Sequence, residues 1–394
     1  MTDSPSMSSL AGVAAIAGVG DTDYADDYRK ARDKIVERDA YGYAALAFKR
    51  ALADAGLTRD DIDGLVAGPT LASERLGEVL GIDPRWAAQG DAVNAVMSAV
   101  TAIHAGAAEC IALVYGNNQR TKGTQYGGPQ ADGGERYLAY VYYAPWGMTS
   151  QGALYAMMTQ RYMALHGVTS AQLAEVAIAE RRFAQLNDNA IMREPLSVEQ
   201  YLAGRYICEP LRLFDYCLVN DGGVALIVTT PERARRLAKR PVTIAGIGRS
   251  DMNRDATSLR PRLMDFYHTA HRQAAGQVFS AAAAGPGDMD LVHVYDSFSA
   301  HVLYALEGFG YCGIGDAAKF IAGGAIGPGG KLPVNTSGGH LSESYMQGWN
   351  HQVELVRQLR GECGARQVAR ARHGHYISDI AGKVASLVYR AEGP

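Results

Sequence analysis

Apolar residues recur along this chain in two rhythms, and the switching between them predicts a repeated strand–helix–strand unit. Ala14–Gly20 reads AAIAGVG, a short uncharged run of strand character. Ala40–Ala55 follows and contains AALAFKRALADAG, with apolar positions at helical spacing and Gly56 as a stop. Gly64-Leu65-Val66 then reads as the returning apolar strand. The second half of the chain repeats this order. Val242–Gly248 reads VTIAGIG, and Asp288-Met289-Asp290-Leu291-Val292 echoes Asp61-Ile62-Asp63 with Gly64-Leu65-Val66. Gly18 and Gly246 lie 228 positions apart, and Asp61 and Asp288 lie 227 apart. Chance similarity would not preserve that spacing, so the pattern implies duplication. Units of this length imply right-handed parallel crossovers and buried central strands.

Ala92–Ala105 (AVNAVMSAVTAIHA) is almost free of charge, which predicts a helix buried on all sides. Cys110–Tyr115 (CIALVY) and Val224–Thr230 (VALIVTT) read as central strands. Between them lies a long excursion, Gly-rich over Thr121–Gly134 and dense in Tyr, Met and Trp over Tyr137–Met163. A segment that long is expected to cover a site or a subunit interface, and its aromatic part suits core or interface better than a substrate pocket. The chain divides accordingly: residues 1–116 with 210–240 form a first half, 117–209 an insertion, and 241–394 a second half.

Composition narrows the function without naming it. A net charge of −3 across 394 residues gives no electrostatic reason for nucleic acid or an anionic membrane as partner. Five scattered cysteines without a CxxC pair read as reduced thiols, and the first residues make a poor signal peptide. A soluble cytoplasmic protein is expected. Gly18 and Gly20 lack the third glycine of a dinucleotide fingerprint and recur at Gly246 and Gly248, so they read as scaffold. His268 and His271 lack ligand partners at metal-binding spacing, and no metal is expected. His373 and His375 read as a solvent-facing pair, and Cys312 as an inert buried thiol.

The local motifs point further. Val294-Tyr295-Asp296-Ser297-Phe298, ahead of a helix ending Gly308-Phe309-Gly310-Tyr311-Cys312, resembles a thiolase-superfamily segment that begins His-Asp-Cys-Phe in the lipid-transfer-protein group. Leu332-Pro333-Val334-Asn335-Thr336-Ser337-Gly338-Gly339 is similar to that family's Leu-Pro-Val-Asn-x-x-Gly-Gly run. Asp221-Gly222-Gly223 and Gln358-Leu359-Arg360-Gly361 fit in the same order, so the resemblance spans roughly residues 10–390. It implies an α/β thiolase fold: two pseudo-symmetric halves, each with a mixed sheet, in layers α/β/α/β/α.

The departures from the family carry the chemistry. Where the nucleophilic cysteine belongs the chain has Gln89-Gly90, and tyrosines, Tyr295 and Tyr345, stand at the two histidine positions. The Cys-x-Gly of biosynthetic thiolases is replaced by the neighbourhood of His373-Gly374-His375-Tyr376. This combination resembles the steroid side-chain aldolases. The resemblance implies Tyr295 and Tyr345 as catalytic residues, and His340, Gly338, Gly339, Gln89 and Gly90 as substrate-binding. It also implies a homodimer joined by a small zinc-ribbon/OB-fold partner in a heterotetramer. No cofactor is bound by the chain itself, since the substrate carries coenzyme A.

The chemistry is coherent without a cysteine. Thiolysis needs a nucleophile to hold the acyl group. Retro-aldol cleavage of a β-hydroxyacyl thioester needs only a base for the hydroxyl, an acid for the enolate carbon and support for the enolate oxygen. Tyr295 is the expected base and Tyr345 the expected acid or hydrogen-bonding partner, with the reverse order left open. Two alternatives stand beside this reading: a catalytically silent thiolase-like scaffold, and an acyltransferase with a displaced nucleophile such as Cys110.

Overall fold

Glycines in the strands decide how closely the layers of this protein approach. The computed structural model describes residues 7–124, 146, 151–251, 264–380 and 383–392. Most of the Gly-rich and aromatic stretches of the insertion therefore lie outside the described residues. The strands are β1 (Ala15–Asp21), β2 (Gly64–Ala67), β3 (Trp86–Gln89), β4 (Cys110–Asn118), β5 (Tyr206–Cys208), β6 (Leu211–Arg212), β7 (Asp221–Thr229), β8 (Val242–Asp251), β9 (Leu291–Val294), β10 (His373–Ile380) and β11 (Lys383–Ala391).

Nine of them form one sheet in the order β3-β2-β4-β7-β1-β8-β11-β10-β9. The seam between halves is narrow, since β1 meets β8 only at Ala15↔Thr243 and Ile16↔Val242. On either side the pattern mirrors itself. β4–β7–β1 and β10–β11–β8 run antiparallel, and β2 and β9 lie parallel to β4 and β10. Val334 bridges Val292 in parallel, which stands in for β3 in the second half. The expected crossovers are parallel but not between neighbours: β4 and β7 lie between β1 and β2.

The repeated motifs keep their jobs in both halves. A Cβ on Gly18 or Gly20 would sit 2.4 and 2.3 Å from the carbonyls of Ala51 and Ala47 in the outer helix Ala40–Ala55. On Gly246 or Gly248 it would sit 2.3 and 2.2 Å from Val278 and Ala274 in the outer helix His268–Ala282. Asp63 accepts the amides of Glu109 and Cys110 at the start of β4, and Asp290 accepts those of Arg372 and His373 at the start of β10. Both aspartates anchor the next strand of their half.

Between the sheet halves lie two central helices, Ala92–His104 and Trp349–Arg360, sharing one core with strands of both halves. The outer helices complete the α/β/α/β/α layering. Burial of Ala92–His104 on all sides is corrected by the structure: Asn94, Met97 and Ser98 are half-buried, and Thr101 and His104 exposed. β3 is an edge of the sheet, and Cys110–Tyr115, expected as a central strand, lies in β4 two strands in from it. The insertion's helices Gln151–His166 and Ser170–Gln185 join the core of the second half.

Candidate active site

Two tyrosines fifty residues apart meet between the end of β9 and the start of the central helix Trp349–Arg360. Tyr295 follows β9 and is fixed by its amide, which donates to Ile377 O at 2.8 Å. Tyr345 lies on the turn ahead of the central helix Trp349–Arg360, its amide donating to Asn220 Oδ1 at 2.8 Å. The phenolic oxygens are 2.7 Å apart, with only 4% of Tyr295 and 8% of Tyr345 exposed. Burial, reinforced by Tyr295, pushes the Tyr345 phenol well above its ordinary range. Tyr345 therefore keeps its proton, and either phenol can donate across the contact.

Behind the pair stands His340, fully buried, with its ring edge-on to Tyr295 at 4.7 Å and to Tyr345 at 5.0 Å. Burial holds this imidazole neutral, down to about 3. Asp296, next to Tyr295 in sequence, anchors the arrangement. Its Oδ2 accepts the amides of His340 and Leu341 at 2.7 and 3.2 Å, and its Oδ1 lies 2.8 Å from His351 Nε2. Burial alone would raise Asp296, but His340 and His351 beside it hold its carboxyl well below the usual range. Glu180, from the insertion helix Ser170–Gln185, moves the other way: burial and the Asp296 charge raise it well above normal. Two carboxyl groups this deep hold one negative charge between them, and Asp296 carries it.

An ionised Asp296 only accepts, so His351 donates through Nε2. His293 Nδ1 lies 2.9 Å from His351 Nδ1. The chain continues through Thr336 Oγ1, 3.1 Å from His293 Nε2, to Glu354 at 3.0 Å, which is paired with Arg366 at 2.9 Å. Asp296, His340 and His351 also cluster closely enough to invite a metal ion. The Gly348 amide, however, donates to His340 Nε2 at 3.0 Å, which leaves the proton on Nδ1, the atom facing Asp296 at 3.3 Å. A ligating histidine needs the opposite arrangement, with its outer nitrogen donating.

The structure sorts the expected site residues. Tyr295, Tyr345 and His340 come together. Gly338 and Gly339 are buried behind them rather than open to a ligand: a Cβ on Gly339 would lie 2.4 Å from Asp296 Oδ2 and 2.6 Å from Glu180 Oε2. Gln89 sits on the free edge strand, its amide donating to Leu71 O at 2.7 Å, and no hydrogen bond joins it or Gly90 to the tyrosines among the described residues. His375 is not solvent-facing: it is fully buried between Tyr311 and Ser386, 2.6 Å from each hydroxyl. Cys110 is sealed inside β4, its thiol pushed up to about 11 by burial, which removes it as a displaced nucleophile. Cys312 is half-buried and raised to about 12 by burial. Sequence reasoning passed over Asp296, His351, His293, Asn220 and Glu180. One signal was available: Trp349–Arg360 carries Asn350, His351, Gln352, Glu354 and Gln358, too many polar residues for the buried helix it is.

Comparison with known proteins identifies the family. Residues 230–387 match the family described as thiolase C-terminal domain-like. The 17-hydroxy-3-oxo-4-pregnene-20-carboxyl-CoA lyase of Mycobacterium tuberculosis is 34% identical over 372 residues, covering 89% of this chain and 92% of that protein. The steroid side-chain-cleaving aldolase of Thermomonospora curvata is 34% identical over 375 residues, covering 90% and 92%. The solved structure of the Ltp2-ChsH2(DUF35) aldolase matches with a TM-score of 0.87 at 31% identity, covering 97% of this chain and 98% of that one. A thiolase fold, and relatives of this kind along nearly its whole length, place the chain in the thiolase superfamily, among the steroid side-chain-cleaving aldolases, which are carbon–carbon lyases.

Proposed function

We propose that the protein cleaves a β-hydroxyacyl-coenzyme A with a steroid side chain by a retro-aldol reaction, Tyr295 and Tyr345 moving the protons. The observation that carries this is the 2.7 Å contact between two nearly buried phenols on a thiolase scaffold with no cysteine at Gln89–Gly90. Tyr295, as phenolate stabilised by the Tyr345 hydroxyl, takes the substrate's hydroxyl proton. The carbon–carbon bond breaks to give a carbonyl product and the enolate of a shortened acyl-coenzyme A. Tyr345 protonates the enolate carbon, and transfer across the 2.7 Å contact restores the pair. The net proton count closes within the two residues, and coenzyme A enters as part of the substrate.

The assembly follows from the same reading. The free edge β3 and the exposed stripe of Ala92–His104 offer the surface for a homodimer. A small zinc-ribbon/OB-fold partner completes a heterotetramer, in keeping with the DUF35 component named in the related solved complex. Among the described residues no helix is long and apolar enough to cross a membrane, which suits a cytoplasmic setting.

Steady-state release of the carbonyl product tests the assignment. Tyr295→Phe and Tyr345→Phe should each lower turnover by about 10²-fold or more with little change in melting temperature. The double variant should lose less than the product of the two, because the residues act as one unit. Tyr304→Phe, buried elsewhere, should stay near wild type. Near-normal turnover in both single variants would return the protein to the silent-scaffold reading.

A further inference from the structure

Two residues beyond Tyr295, a second constellation uses none of the groups in the tyrosine site. Ser297 Oγ lies 3.3 Å from His301 Nε2, and His301 Nδ1 lies 2.5 Å from Asp379 Oδ1. The three come from the loop after β9, the first turn of the helix Ala300–Gly308 and the end of β10. Asp379 is fully buried; burial would raise it, but His301 and the hydrogen bond from His271, whose Nε2 lies 3.2 Å away, lower it instead. An ionised Asp379 only accepts, so His301 must donate through Nδ1, and its Nε2 is left to accept the serine proton. That tautomer is the one a nucleophilic serine requires.

The surroundings favour chemistry over packing alone. His301 is clamped in orientation by the Tyr155 ring, 4.4 Å away, and by Phe298 stacked at 17°. Ser297 retains 9% exposure beside the half-buried Tyr216 and Cys217, the latter donating its amide to Ser297 O at 3.1 Å. Tyr216 and Phe298 form a bridge whose two hydrogen bonds run from the amides of Cys217 and Ser299. The amide of Phe298 therefore points away from the bridge, and among the described residues nothing accepts from it. The residue after the nucleophile is where serine acyl-transfer sites place an oxyanion donor.

We propose that Ser297, His301 and Asp379 form a second, serine-based acyl-transfer centre that hydrolyses short coenzyme A thioesters. Ser297 Oγ bonds to the thioester carbonyl carbon while His301 Nε2 takes its proton. The carbon–sulfur bond breaks, and the coenzyme A thiolate leaves with that proton. Water then repeats the sequence on the acyl-serine, giving a carboxylic acid and the free serine. Only the choice of a coenzyme A thioester rests on the function proposed above. The serine's reactivity does not.

The test uses the full chain, with its partner if one is needed for solubility. A fluorophosphonate probe should modify Ser297, located by peptide mass spectrometry, and thiol release from acetyl-coenzyme A should be measurable with Ellman's reagent. Ser297→Ala should abolish labelling at that peptide and lower hydrolysis by about 10²-fold or more. His301→Gln should slow labelling by a similar factor, with retention of the fold checked by far-UV circular dichroism. Ser297→Cys, which keeps the side-chain size, should exchange fluorophosphonate labelling for iodoacetamide sensitivity. Tyr345→Phe should keep the labelling whether or not it loses lyase turnover, which separates this centre from the tyrosine site. An unlabelled Ser297 in the wild type, hydrolysis by Ser297→Ala at the wild-type rate, or labelling lost in Tyr345→Phe would each overturn the proposal.

Discussion

The segments leading into the two central helices occupy equivalent places in the two halves and share almost no chemistry. In the first half, Gln89-Gly90-Asp91 runs from an exposed edge strand straight into Ala92, whose helix buries only apolar residues. In the second, the path from Val334 to Gly348 is almost wholly buried. It brings Tyr345 and His340 to the site, and its helix buries five polar side chains. Yet Gly18 and Gly246, and Asp63 and Asp290, do identical structural work in the two halves. Duplication preserved what holds the layers together, and only one copy kept a polar interior. Buried polar groups persist only when partnered, so that interior forms a closed network that is costly to interrupt.

The sharpest way to break the comparison is to remove the network's anchor. Asp296→Ala leaves two amides and the His351 ring without their acceptor, and should cost about 3–5 kcal/mol in urea unfolding. Carbonyl release should also fall by at least about 10²-fold, since His340 loses its seat behind both tyrosines. A stable variant with full turnover would mean the network serves neither purpose.

Acid lability should belong to the second half, which holds eight of the ten histidines. Burial lowers both His340 and His375 to about 3. The unfolded chain takes up these protons near pH 6.5, and the folded protein does not until about pH 3. Stability therefore falls as pH drops through that window. Glu343, raised to about 7 chiefly by burial, works against this trend between pH 4.5 and 7, because there the folded state binds the proton. Denaturation midpoints from pH 7 to 4 should fall, and His375→Gln should flatten the slope by about 1.4 kcal/mol per pH unit. An unchanged slope in that variant would contradict its buried neutral state.

A smaller effect tests the likeness of the halves. Gly20→Ala and Gly248→Ala press a methyl group against a helix carbonyl at nearly the same distance, 2.3 and 2.2 Å. Each should cost about 1–3 kcal/mol, and the two costs should match closely. Unequal losses would show that one helix can yield where the other cannot. The smallest effect is expected at Gln89→Ala, where turnover should stay within about threefold of wild type. A larger loss would bring the edge strand back into the site.

Sequence alone determined the repeat, the outer helix Ala40–Ala55 to the residue, the central strands and the two tyrosine positions. These are local signals: hydrophobic period, glycine spacing, and residues missing from a recognisable motif. It misjudged His375 and the exposed face of Ala92–His104, because burial depends on which surface a segment meets, and that surface comes from elsewhere in the chain. The network behind the tyrosines was illegible for the same reason. Asp296, His351, His293 and Glu180 lie up to 171 positions apart, and no spacing rule joins them. Only the tertiary structure could decide which buried acid keeps its charge, since that follows from amides and imidazoles brought to it by the turn at His340–Leu341 and the helix Trp349–Arg360.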